Sequence, residues 1–124
     1  MFAFVRVHTD GGENLVVTVN SANKAYKMTD GCLFEIATNT VLHTSSEASV
    51  PEGTKIIEMY AFMYCKSETL EIPASVEKVQ AYAFYGWTEK QTIIINGFAS
   101  QEEATAAWGE LWNYGCKATI IYKK

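Results

Sequence analysis

Pro51 to Cys65 and Pro73 to Trp87 are near copies of each other at an offset of 22 residues. Pro51/Pro73, Tyr60/Tyr82, Ala61/Ala83 and Phe62/Phe84 are identical in register, and Ile57 matches Val79. A fixed period in the low twenties marks a short-repeat solenoid, because a unit of that size cannot bury its apolar edge alone and must stack on a neighbour. The repeat therefore constrains architecture strongly and function only as a class. Stacked repeats present surfaces, and chemistry belongs to sites grafted onto a fold.

A chain of 124 residues with 48% hydrophobic content is expected to bury one core and to form one domain over 1–124. Its formal charge of -4 and pI near 5.1 argue against a general binder of nucleic acid or anionic membrane, which would show a basic face. Any nucleic-acid connection is expected to run through a basic protein partner. No apolar run approaches the roughly 18 residues that a membrane span needs. The start, Met1-Phe-Ala-Phe-Val-Arg6, places its charge after the apolar residues, the reverse of a secretory signal. Two expectations follow: a cytoplasmic protein if the chain is complete, or a surface or secreted one if it is a piece of a longer frame. Cys32, Cys65 and Cys116 are an odd set without C-x-x-C spacing, which favours buried thiols over disulfides or zinc.

Each repeat reads as a strand, a turn at proline, a short extended piece and one helical turn. In Thr92-Ile-Ile-Ile95, Ile93 and Ile95 share a face because strand side chains alternate. Leu70 and Ile72 are their counterparts, and Pro73 then ends ladder bonding. Val76, Val79, Ala83 and Phe84 point inward, with Thr54, Ile57, Ala61 and Phe62 as equivalents. The same phase extended outward makes Ala48 and Val50, and before them Val17 and Val19, earlier strands of the series. Cys32 to Ile36 and Thr40 to Leu42 flank a polar turn and form a hairpin. Phe2 to His8 is extended, and Asp10-Gly-Gly12 can fold it onto Leu15 to Val19.

Residues 97–124 depart from the repeat. Ser100-Gln-Glu-Glu103 is a capping box. Ala104, Trp108, Leu111 and Trp112 follow at helical spacing, Gly115 supplies a stop, and Cys116 to Tyr122 returns as a strand. A helix and a strand there would close the apolar face and the sheet edge of a final coil. The expected fold is α/β leaning mostly β: a short solenoid with parallel strands, an irregular hairpin-containing unit over 1–50, two clear repeats over 51–96, and a capping helix and strand over 97–124.

Ile72-Pro-Ala-Ser-Val-Glu-Lys-Val-Gln-Ala-Tyr-Ala-Phe84 resembles the BspA-like, Treponema-type leucine-rich repeat, whose pattern is I-P-x-S-V-x-x-I-G-x-x-A-F-x-x-C. Tyr26 to Leu42 resembles the longer irregular unit of those proteins, and Trp112 to Tyr122 their terminal cap, so the resemblance spans about residues 15 to 122. Glu58 and Gln80 stand where that pattern has glycine, which implies a less constrained backbone there, and Trp87 replaces the cysteine that Cys65 retains. The resemblance implies a protein-binding module of bacterial surface or secreted proteins.

For catalysis, the pattern offers little. His8 and His43, the two histidines, lack metal-helix spacing. The glutamates spread along the exposed phases, and no phosphate loop, nucleophile elbow or Cys/His pair is evident. The expectation is a non-enzymatic chain without a cofactor or metal. Thr18, Ser49, Thr69, Glu71, Thr92 and Ile94 alternate with the core positions, and parallel stacking would align them into one outward strip that binds another protein. Ile94 is the member that a solvated face explains least. Tyr26, Tyr64, Tyr85 and Tyr114 are further candidates for exposed contact, whereas Tyr60 and Tyr82 at matched positions read as packing. Three functions stay open: adhesion or host contact of a bacterial surface protein; a free-standing inhibitor or adaptor of the phage or anti-CRISPR kind, blocking a larger complex through a basic surface; and a structural cap of a longer array. An imperfectly capped N-terminal edge also leaves a homodimer through an exposed strand open.

Overall fold

The computed structural model describes the backbone of residues 5–9 and 15–19 and residues 25–124 in full. Strands β1 (Val5–Thr9) and β2 (Leu15–Val19) pair antiparallel, with Val7 opposite Val17. The expected fold-back of the N-terminal segment is therefore present, while Asp10 to Gly12 lie outside the described residues. Strand β2 does not join the parallel series as its Val17/Val19 phase implied, because β1 and β2 make a separate two-stranded sheet.

Strands β3 (Tyr26–Thr29), β4 (Cys32–Glu35) and β5 (Thr40–Thr44) form an antiparallel meander. The β3–β4 turn, Asp30-Gly31, has positive φ at both residues, 52° and 80°, the two-residue hairpin geometry that matches strand twist. The β4–β5 hairpin is where the sequence placed it, with its turn closed by the Thr38 hydroxyl donating to Glu35 Oε1 at 2.5 Å. From β5 onward pairing becomes parallel. Strands β6 (Ile56–Ile57) and β8 (Lys78–Val79) add to β5, with Ile57 opposite Val79 at the repeat offset.

The other sheet is β10-β9-β7, made of β7 (Thr69–Ile72), β9 (Thr92–Asn96) and β10 (Thr119–Lys123), all parallel. Each repeat thus gives one short strand to each sheet. Between the sheets, turn segments stack on one another through the backbone. Phe62 N donates to Ala83 O and Tyr64 N to Tyr85 O, both at 2.8 Å, and Tyr82 N donates to Leu111 O at 2.9 Å. Ile57, Phe62, Leu70, Ile72, Val79, Ala83, Phe84, Ile93 and Ile95 are fully buried between these three sides. The inward phases read from the repeat are the core.

Four expectations are corrected. Ala48 to Val50 is not a strand; Val50 is buried, but Ala48 N and O bond the Ser67 hydroxyl at 3.0 and 2.7 Å, so a side chain takes the place of a ladder. The Ala-Phe segments are not helical turns. They are successive tight turns in which Ala61 N donates to Glu58 O and Cys65 N to Phe62 O, with Tyr60, Tyr64 and Tyr82 at φ of 61°, 58° and 60°. Helix α1 (Gln101–Trp108) ends at Gly109, φ 92°, and not at Gly115. Leu111 and Trp112 belong to a further turn segment: Trp112 is buried against Phe84, their ring centroids 6.3 Å apart, and Cys116 N donates to Asn113 O as Cys65 N does to Phe62 O. Residues 111–116 therefore continue the repeat geometry from which the sequence reading has them depart. The α1 start is as read, with Ser100 Oγ accepting from Glu103 N at 3.3 Å.

Candidate recognition face

Because β7, β9 and β10 are parallel and in register, residues of like phase form rows across the sheet. Thr69, Thr92 and Thr119 make one row, and Glu71, Ile94 and Ile121 the next. Their neighbours Leu70, Ile72, Ile93 and Ile95 are fully buried, so alternation turns these rows outward. Thr69 and Glu71 are exposed and Thr92 and Ile94 half-buried. Asn96 fixes the acidic end of the row: its Nδ2 donates to Glu71 Oε2 at 2.9 Å and to Ile72 O at 3.0 Å.

Four of the candidate residues, Thr69, Glu71, Thr92 and Ile94, are thus brought together. Ser49 is exposed on a segment that forms no strand, its backbone N donating to Asp30 O. Thr18 lies on β2, paired with Arg6 in the separate sheet; its side chain is outside the described residues. Sequence reasoning missed Thr119 and Ile121, although Thr119-Ile-Ile-Tyr122 echoes Thr92-Ile-Ile-Ile95. Ile121 is 42% exposed.

Beside the threonine row lies an open groove of about 1050 Å³ whose lining includes Thr69, Thr92, Gln91, Tyr64, Met63 and His43. Gln91 is held rigidly there, its amide donating to Cys65 O at 2.8 Å and Ser67 O at 2.9 Å. His43 Nε2 is buried with no hydrogen-bond partner, and that burial lowers the imidazole pKa. Burial also pushes the Cys32 thiol up to about 12, and its Sγ donates to Ser49 O at 3.1 Å. A thiol held protonated is a poor nucleophile. Among the described residues no group of three His, Cys, Asp or Glu side chains is arranged to hold a metal, and no helix is long and apolar enough to cross a membrane.

A second exposed face is aromatic. The Tyr60 and Tyr82 rings stack with centroids 5.4 Å apart, and Tyr82 meets Tyr114 edge-on at 5.4 Å. These two tyrosines do pack, as their matched positions implied, but with each other at the surface, since Tyr60 is 41% exposed. Tyr64 and Tyr114 are exposed by 60% and 58%. The Tyr64 ring lies over Gly86 and the Tyr85 ring over Gly115, so close that a Cβ on either glycine would fall about 2.3 Å from ring carbons.

The family described as "BspA type leucine rich repeat region (6 copies)" matches residues 39–106 of this chain. Comparison with curated proteins and with solved structures gave no match.

Proposed function

The chain belongs to the BspA-type leucine-rich-repeat family, and from that membership together with its outward rows we propose a non-catalytic protein-recognition module, built as one short solenoid domain. The observation that carries the proposal is the register of β7, β9 and β10, which aligns Glu71, Ile94 and Ile121 across three strands. Successive parallel strands present like phases at a regular spacing of about 4.8 Å, so a partner meets a flat, repetitive surface with an apolar centre and an acidic end. An apolar centre within a polar surround is the anatomy of a protein interface. The groove beside the threonine row extends that surface with polar groups set by Gln91. Contact between a bacterial surface and a host protein is the finer role that the family resemblance supports.

The test is comparative capture, with wild-type domain, Ile94→Glu and Glu71→Arg as baits against extracts of source and host cells. Both side chains lie on the outward row, so both variants should melt within about 0.5 kcal/mol of wild type, as substitutions outside the core usually do. The expected result is a set of proteins held by wild type and lost by both variants. Retention of every partner by both would overturn the proposal, and an extracellular host protein among those lost would support the finer role.

A further inference from the structure

Strand β10 is an outer member of its sheet, and its inner side is fully engaged with β9. Thr119 N donates to Gln91 O at 2.9 Å, and Lys123 O accepts from Gly97 N at 2.8 Å. Along a strand the N–H and C=O of one residue point the same way and alternate sides from residue to residue. Thr119, Ile121 and Lys123 therefore turn theirs toward β9, and Ile120 and Tyr122 turn theirs away. No strand among the described residues pairs with that outer side. At the opposite side of the sheet the chain just before β7 is tied to segment 46–48, with Lys66 N donating to Ser46 O and the Ser67 hydroxyl bonding both backbone groups of Ala48. The strand expected to close the sheet thus leaves its own outer edge unpaired among the described residues, and an open edge is a template for another strand.

The open side specifies what fits it. Its two free residues flank Ile121, whose side chain is exposed. An antiparallel strand centred on Ile121 sets Ile120 of one copy against Tyr122 of the other as hydrogen-bonded pairs, and Ile121 against itself as the close, non-hydrogen-bonded pair. Both partners of that arrangement are present in the one sequence Ile120-Ile-Tyr122. We propose that the domain forms a two-fold symmetric dimer through β10, with a second copy of this chain as the occupant. Charge permits it. Lys123 faces Thr119 across the dyad, and Lys124 is engaged by Glu103 of its own chain at 3.2 Å. Ile120 and Tyr122, packed on the core but only half-buried, gain cover from each other. An acidic peptide would answer the lysines yet leave Ile121 without an apolar counterpart. The dimer would carry the row Glu71–Ile94–Ile121 across the dyad into its mirror sequence, giving one continuous six-stranded face.

Sedimentation velocity over a concentration series tests this, on wild type and Ile121→Glu, together with oxidative cross-linking of Ile121→Cys and Lys123→Cys. Wild type should dimerise reversibly. Ile121→Glu should be monomeric with an unchanged circular-dichroism spectrum, since it sets two carboxylates face to face. Non-hydrogen-bonded antiparallel pairs bring Cα atoms to about 4.5 Å, within the roughly 4.4–6.8 Å that a disulfide spans. Ile121→Cys should therefore yield a 121–121 disulfide, mapped by mass spectrometry, while Lys123→Cys, displaced from the dyad, should not self-link. A wild type that stays monomeric throughout overturns the proposal, as does a dimer that Ile121→Glu leaves intact. Should Ile121→Glu unfold, the cysteine pair decides: equal cross-linking of both, or of neither, counts against the dyad.

Discussion

Phe84 stands at the middle of an aromatic column, with Phe62 at 5.8 Å, Trp87 at 6.0 Å and Trp112 at 6.3 Å between ring centroids. It is fully buried, and neighbours on three sides leave little room for collapse. Phe84→Ala should therefore destabilise by about 3–5 kcal/mol, read as a shift in the denaturant midpoint at constant slope; a near-neutral result would remove it from the core. His43 gives a pH signature. Its lowered pKa means that the folded state binds fewer protons than the unfolded chain. The stability carried by neutral His43 is complete above an ordinary histidine pKa of about 6.5 and is lost as pH falls through the lower folded value. His43→Gln should flatten stability in that window relative to wild type, and an unchanged pH profile would contradict the buried imidazole. Inward and outward phases at this scale were legible in the sequence because the repeat supplies each position twice. The left-handed tyrosines were not, because bulky residues rarely take positive φ. The residues at the family's glycine position, Glu58 and Gln80, are not in that region. The constrained backbone lies two residues further on, at Tyr60 and Tyr82.

Helix α1 shows how an element can be right in kind and wrong in extent. Ser100→Ala should cost about 1 kcal/mol in thermal or denaturant unfolding, since Ser100 Oγ accepts from Glu103 N; an effect below a few tenths would mean the cap is not formed in solution. Its far end was misread for a physical reason. Leu111 and Trp112 continue the helical spacing of Ala104 and Trp108, and both Gly109 and Gly115 can end a helix. The choice is made by tertiary contacts, because Trp112 packs on Trp108 at 5.3 Å and on Phe84, and Tyr82 N takes the Leu111 carbonyl as its acceptor. Spacing within one segment does not reveal that its second half stacks on a distant one. Ala48 to Val50 failed as a strand for a related reason: the apolar phase is present, yet the Ser67 hydroxyl captures the backbone groups that a ladder needs.

At the scale of the whole molecule, two exposed faces are candidates for the proposed recognition. One is the sheet, where Thr69, Glu71, Thr92 and Ile94 meet Thr119 and Ile121. The other is the tyrosine face around Tyr60, Tyr82 and Tyr114. The sheet face was largely visible in the repeat, but Thr18 lies on another sheet, since strand phase alone cannot say which sheet a strand joins, and Ser49 lies on a segment that forms no strand. The tyrosine face was visible only as a scatter of aromatic positions. The most direct measurement is the affinity of a captured partner for wild type, Ile94→Glu and Tyr114→Ala, by calorimetry on folded samples. If the sheet face is the recognition surface, Ile94→Glu weakens binding at least tenfold, about 1.4 kcal/mol, and Tyr114→Ala leaves it unchanged. The opposite pattern would contradict the central claim and move recognition to the tyrosines.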